Sequence, residues 1–101
     1  MATVTDAAAR HRYEITIDGE VAGYAQYRDP RPGVRTFTHT VVHDRFRGRG
    51  VAGELVGAAL DDARSRGLAI EPFCPYVRAF VAKHPEYADL VPEDERERFG
   101  V

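Results

Sequence analysis

Apolar and polar residues alternate from Tyr13 to Ile17, Asp18-Gly19 interrupts, and a strand-like pattern resumes from Val21 to Tyr27. Two such runs joined by Asp-Gly predict a β-hairpin over residues 12–28, because a type I′ turn needs positive φ at both central positions. Arg28 to Gly33 carries turn chemistry and is expected to end the hairpin. The next run, Val34 to Val42, is rich in β-branched residues and predicts a third, long strand. From Val51 the apolar positions recur at 51, 55 and 59 and at 52, 56 and 60, which is helical spacing. The helix is expected over about 50–66, with a stripe of Val51, Ala52, Leu55, Val56, Ala59, Leu60 and Ala63 facing a sheet. Gly67 reads as its left-handed cap, with Arg64 and Arg66 at the negative end of the dipole. Leu68 to Phe73 is a short strand, and Tyr76 to Lys83 a second helix with Pro75 at its first position and Pro85 at its end.

These elements give a domain over 11–92. Residues 1–10 lack periodicity and are expected to be a flexible terminus. Residues 93–101 alternate acid and base and are expected to be a polar tail, either a solvated helical turn or disordered. A strand, helix and strand in close succession make a right-handed crossover, so strand 68–73 should run parallel to strand 37–42. The fold class is α/β: a mixed, mostly antiparallel sheet of four or so strands with one parallel βαβ unit. Pro72 and Pro75 offer no ladder N–H, so the sheet should open near Cys74.

Composition narrows the function classes. The 101 residues, 44% hydrophobic, suit one modest core. A net charge of −2 gives the whole chain no reason to seek nucleic acid or an anionic membrane. A single cysteine excludes an internal disulfide, and neither a signal-peptide core nor a membrane-length apolar run is present, so a cytoplasmic location is expected.

Positive charge is instead local, in Arg45-Phe46-Arg47-Gly48-Arg49-Gly50 between strand and helix. A helix start exposes unpaired N–H groups and positive dipole, glycines let the backbone approach a ligand, and arginines add full charge. Such a loop is a phosphate cradle. The spacing Arg45-x-x-Gly48-x-Gly50 resembles the [Q/R]-x-x-G-x-[G/A] signature of the Gcn5-related N-acetyltransferases. Phe37-Thr38-His39-Thr40, Pro72-Phe73-Cys74 and His84-Pro85-Glu86-Tyr87 extend the likeness, specifically to the small single-domain branch of that superfamily.

The resemblance implies an acetyl-coenzyme A-dependent N-acetyltransferase. Val41, Val42, Arg45, Arg47, Gly48, Arg49, Gly50, Val51 and Ala52 would bind the donor, with its pantetheine arm lying where the parallel strands part. The acceptor would be a small or protein amine. Cys74 and His39 are the catalytic candidates. Cys74 precedes a helix start with Arg78 four residues on, a setting in which a thiol is reactive, and a cysteine here in the minimal branch lies near the acyl end of the coenzyme. His39 is expected to share a face with Phe37 and Val41 and to take the amine proton. Tyr76 and Tyr87 are equal candidates for protonating the leaving thiolate. Members of the branch commonly carry glutamate where this chain has Val42, and the helices that usually wall the acceptor site are missing between the first two strands. A non-catalytic acyl-coenzyme A-binding module is therefore the alternative, with polynucleotide binding a weaker one. The histidines and Cys74 do not form metal-ligand spacing, so no metal is expected.

Overall fold

A computed structural model describes residues 2–101. Strands β1 (Ala2–Ala7), β2 (Arg12–Ile17), β3 (Glu20–Arg31), β4 (Val34–Val42) and β5 (Ala69–Pro72) form one sheet in that order. Neighbours are antiparallel except β4 and β5, which are parallel because helix α1 (Val51–Ser65) carries the chain from one to the other. Helices α2 (Pro75–Lys83) and α3 (Arg96–Phe99) follow. The fold is thus the mixed α/β sheet read from the sequence, one strand larger.

The hairpin turn has Asp18 at φ 51° and Gly19 at φ 81°, as a type I′ turn requires. α1 ends in a Schellman pair: Leu68 N–H donates to Ala63 O and Gly67 N–H to Arg64 O, with Gly67 at φ 69°. Its Leu55, Val56, Ala59, Leu60 and Ala63 are buried in one core with Tyr13, Ile15, Ala25 and Phe37 of the sheet.

Three expectations are corrected. Of the segment 1–10, Met1 lies outside the described residues, and Ala2–Ala7 is an edge strand in register from Ala2↔Ile17 to Ala7↔Arg12. Its alternation was illegible because its apolar face offers only Ala2 and Val4, whereas Asp6 on that face accepts a 2.6 Å hydrogen bond from the Tyr27 hydroxyl. Within 93–101, a 3-10 turn and α3 bring Phe99 into the core, edge-on to Phe73 at 5.1 Å. One aromatic in a polar stretch leaves no period to detect. β3 also continues to Arg31, and only Pro32-Gly33 turns. Arg28 pairs with Thr36 but Arg31 with Val34, so one extra residue is accommodated around Asp29-Pro30, a bulge in which proline's missing N–H does no harm.

That bulge aims Asp29 at Arg35, a buried arginine the sequence reading did not single out. The Arg35 guanidinium donates to both Asp29 oxygens (2.9 and 3.0 Å) and to the Tyr13 hydroxyl (2.7 Å), and lies 3.9 Å over the Tyr27 ring. Tyr13 donates onward to Asp62 of α1 at 2.6 Å. Burial first, then the hydrogen bond to Asp6, pushes Tyr27 up to about 12, against the opposing charge of Arg35. Tyr13 is raised further, by burial and then by Asp62.

A raised tyrosine pKa contributes stability that is complete below the unfolded value near 10 and is lost as pH climbs toward the folded value. Unfolding free energy, followed by urea denaturation, should therefore fall between about pH 10 and about pH 12. Tyr27→Phe should flatten that slope. An identical slope in the variant would show that Tyr27 ionises alike in both states.

Candidate active site

β4 hands the chain to the basic loop at Val42. The next amide, His43 N–H, donates back to Ala22 O at 2.8 Å, and a 3-10 turn over Asp44–Phe46 buries Phe46 as the loop's anchor. Gly48 (φ 80°) and Gly50 (φ 72°) then adopt left-handed backbone, and a Cβ on either would meet nothing within 4 Å. Conformation, not crowding, demands glycine at both. Gly50 caps α1 with no side-chain hydrogen bond, and the first amide to close on the helix is Glu54 N–H to Gly50 O. The preceding amides of the first turn are left for an outside acceptor.

Val42, Arg47, Gly48, Gly50, Val51 and Ala52, all expected from the sequence, line a single cleft of about 200 Å³ together with Phe46, Gly53 and Tyr76. Val41, Arg45 and Arg49 are not in its lining. Val41 pairs with Tyr24. Arg45 binds both carboxylate oxygens of Glu20 at 2.9 Å, and Arg47 pairs with Asp44 at 3.2 Å. Arg49 rests over the Phe46 ring, 5.4 Å from its centre, without an ion pair among the described residues. Its charge is the one in the loop still uncommitted.

The sheet opens where the prolines suggested. Pairing of β4 with β5 stops at Phe37↔Pro72, and the last link is Cys74 N–H to Phe37 O at 2.9 Å. Because His43 N–H is turned toward β3, strand alternation turns the amides of Val42 and Thr40 to the edge that β5 has left. Cys74 stands at the head of this gap as the N-cap of α2, buried, its Sγ 3.3 Å from the Thr40 hydroxyl. Arg78 does not reach the thiol; its guanidinium donates to the carbonyls of Phe73 (2.9 Å) and Pro72 (3.4 Å).

His39 is not on the face of Phe37, contrary to expectation. Gln26 pairs with His39 but Tyr27 with Phe37, so Thr38 is an extra residue and the alternation of β4 slips by one. Directly opposed residues share a face, so Tyr13, Ala25 and Thr40 form a row on the α1 side, while Arg12, Gln26 and His39 form one on the other, where His39 is exposed. The thiol and the imidazole therefore lie on opposite faces of β4.

The two tyrosines are also separated. Tyr76 lines the cleft beside Gly53, whereas Tyr87 donates to Asp61 at 2.8 Å, more than two helical turns further along α1. The hydrogen bond to Asp61 adds to burial in pushing Tyr87 up to about 12. α2 packs on α1 at Gly53 and Gly57, where an added Cβ would make only ordinary contacts, 3.7 Å from the Tyr76 hydroxyl and 3.6 Å from Phe80. A second groove continues past Gly53 and Tyr76 to Lys83 and His84.

Among the described residues no cluster of His, Cys, Asp or Glu has metal-binding geometry, and no helix is long and apolar enough to cross a membrane. A family model described as GCN5-related N-acetyl-transferase matches residues 12–90. An L-methionine sulfoximine/L-methionine sulfone acetyltransferase of Pseudomonas paraeruginosa is 44% identical over 73 residues, which are 64% of this chain and 42% of that protein. Protein NATD1 of Bos taurus is 43% identical over 47 residues, 46% of this chain and 42% of the relative. The chain thus spans less than half the length of the curated relatives it matches. Among solved structures, a GCN5-like protein from Staphylococcus aureus superposes with a TM-score of 0.68 at 22% identity, covering 89% of this chain and 87% of its own. A ribosomal-protein-alanine N-acetyltransferase from Brucella melitensis gives 0.56 at 23% identity over 80% of this chain and 60% of the other. At such identities the likeness is one of fold.

Proposed function

The chain belongs to the GCN5-related N-acetyltransferases, and from that premise we propose that it moves an acetyl or small acyl group from its coenzyme A thioester to an amine. The observation that carries this reading is the junction of three things at one cleft: an uncapped helix start, two left-handed glycines, and the unpaired edge of β4. The pyrophosphate suits the amides of Val51 and Ala52, with Arg49 as countercharge. The pantetheine arm suits the gap toward Cys74, and the nucleotide end the groove that runs to Lys83.

In the step proposed, the neutral amine attacks the thioester carbonyl carbon and the Thr40 and Val42 amides receive the developing oxyanion. The C–S bond then breaks, the amine loses its proton, and the coenzyme leaves as a thiol. In this reading His39 receives the amine proton through water, from the face opposite the thiol, and Tyr76, the tyrosine of the cleft, protonates the leaving sulfur. Little is asked of side chains, so the step does not need a base at Val42. The contact of Cys74 with Thr40 at the gap favours a second route through an acyl-cysteine. Unchanged turnover in Cys74→Ala would remove that route.

Calorimetry with coenzyme A and acetyl-coenzyme A, followed by thiol release across an amine panel, tests the proposal. Binding with turnover is expected; binding without turnover on any amine would leave a carrier module. Arg49→Ala should weaken coenzyme A about tenfold, the equivalent of ~1.4 kcal/mol, without changing thermal stability. Unaltered affinity would move the phosphates elsewhere.

A further inference from the structure

Beyond the end of β2 the surface holds a second hollow, of about 350 Å³, between Arg10 and His11 on one side and Gln26, Arg28, Asp29 and Pro30 on the other. Its walls are fixed. His11 has φ 54°, a conformation uncommon without glycine, and is held there by its N–H to Ala8 O (3.1 Å) and by its carbonyl, which accepts from Tyr27 N–H (2.9 Å). The bulge at Asp29-Pro30 ties the one acidic wall residue to Arg35 through both carboxylate oxygens, so its charge is neutralised from behind. Arg10 is engaged by Glu14 at 3.2 Å.

Arg28 is different. It is exposed, and no hydrogen bond or ion pair commits its guanidinium among the described residues. An unpaired planar cation, beside a carboxamide and an imidazole in one concavity, is a donor set for a carboxylate. One wall of the hollow also meets the proposed chemistry: Gln26 stands directly opposite His39, the residue given the amine proton above. Two strand residues, about 6.6 Å, separate Gln26 from Arg28, a distance an arginine side chain spans.

We propose that this hollow binds the carboxylate of the acceptor, which makes the acceptor a small amine that also bears a carboxylate. The acceptor role rests on the acetyl transfer proposed above. The carboxylate site does not, and the two are tested separately.

Labelled protein without coenzyme is titrated with L-alanine and L-leucine and with their carboxamides, and backbone amide resonances are followed by NMR. The amino acids should shift His11, Gln26 and Arg28 saturably, the carboxamides at least tenfold more weakly; Arg28→Gln should abolish the difference and Arg28→Lys should retain part of it. With acetyl-coenzyme A present, Arg28→Gln should raise KM for the amino acid about tenfold while leaving KM for the donor unchanged. Absent shifts, equal shifts from the carboxamides, or indifference to Arg28→Gln would overturn the site. Intact shifts with no thiol release from any acceptor would overturn the acceptor role and leave a carboxylate site of another purpose.

Discussion

Arg35→Met is expected to cost ~3–5 kcal/mol of folding free energy, the range for removing one partner of a buried ion pair. A domain of this size has roughly 5–15 kcal/mol in total, so the variant should lose a large share of its stability. The large effect follows from what is stranded. Arg35 is 6% exposed and holds Asp29 in a bidentate pair, approaches Asp6 at 3.6 Å, donates to Tyr13 and covers the Tyr27 ring. Without it the Asp6 carboxylate, itself 11% exposed, remains inside with no compensating charge except Arg66 at 3.5 Å. Burial opposes the charge on Arg35, yet Asp29 and the tyrosine hydroxyls hold its pKa above the ordinary value. Arg35→Lys should lose an intermediate amount, since an ammonium keeps the charge but not the fork. Urea denaturation measures both. A loss below about 1 kcal/mol in the methionine variant would mean that the network behaves as an exposed ion pair does.

This network explains why the sequence revealed the frame of the molecule better than its interior. Periodicities of two and of 3.6 over Tyr13–Tyr27 and Val51–Ala63 report which face is buried, and turn chemistry at Asp18-Gly19 and Gly67 reports where elements stop; each depends on residues close in sequence. Arg35 sits in a run that reads as a polar-tolerant strand, and only Asp29, Tyr13 and Asp6 brought together by pairing make its burial tolerable. The same limit governs the site. The cradle was legible because Arg45 to Ala52 is local, and the opening because Pro72 and Pro75 act on their own backbone. The face of His39 was not, because the slip at Thr38 is a property of β4 against β3 and leaves no mark in β4 alone. Tyr76 became distinguishable from Tyr87 only once α2 crossed α1 at Gly53.

Gly23→Ala should damage stability and donor binding together, although residue 23 reaches the cleft only through its pairing with Val42. A Cβ there would lie 2.4 Å from Val41 O and 3.2 Å from Val42 Cα. Both neighbours are backbone, so β4 itself must move. Overpacking of this kind costs roughly 1–3 kcal/mol. Relief requires Val41 and Val42 to withdraw from β3, which stretches the His43 N–H to Ala22 O bond and displaces the strand end that launches the cradle. The Val42 and Thr40 amides, whose direction depends on that pairing, would turn with it. Coenzyme A affinity should fall at least tenfold in protein that still unfolds cooperatively. Gly57→Ala is the contrast: its Cβ would make an ordinary 3.6 Å contact with Phe80, and alanine favours helix over glycine by about 1 kcal/mol, so stability should be equal or higher and affinity unchanged. If Gly23→Ala bound coenzyme A as tightly as the unaltered protein, the donor site would not depend on how β3 seats the end of β4, and the oxyanion role given to the Thr40 and Val42 amides would have to be withdrawn.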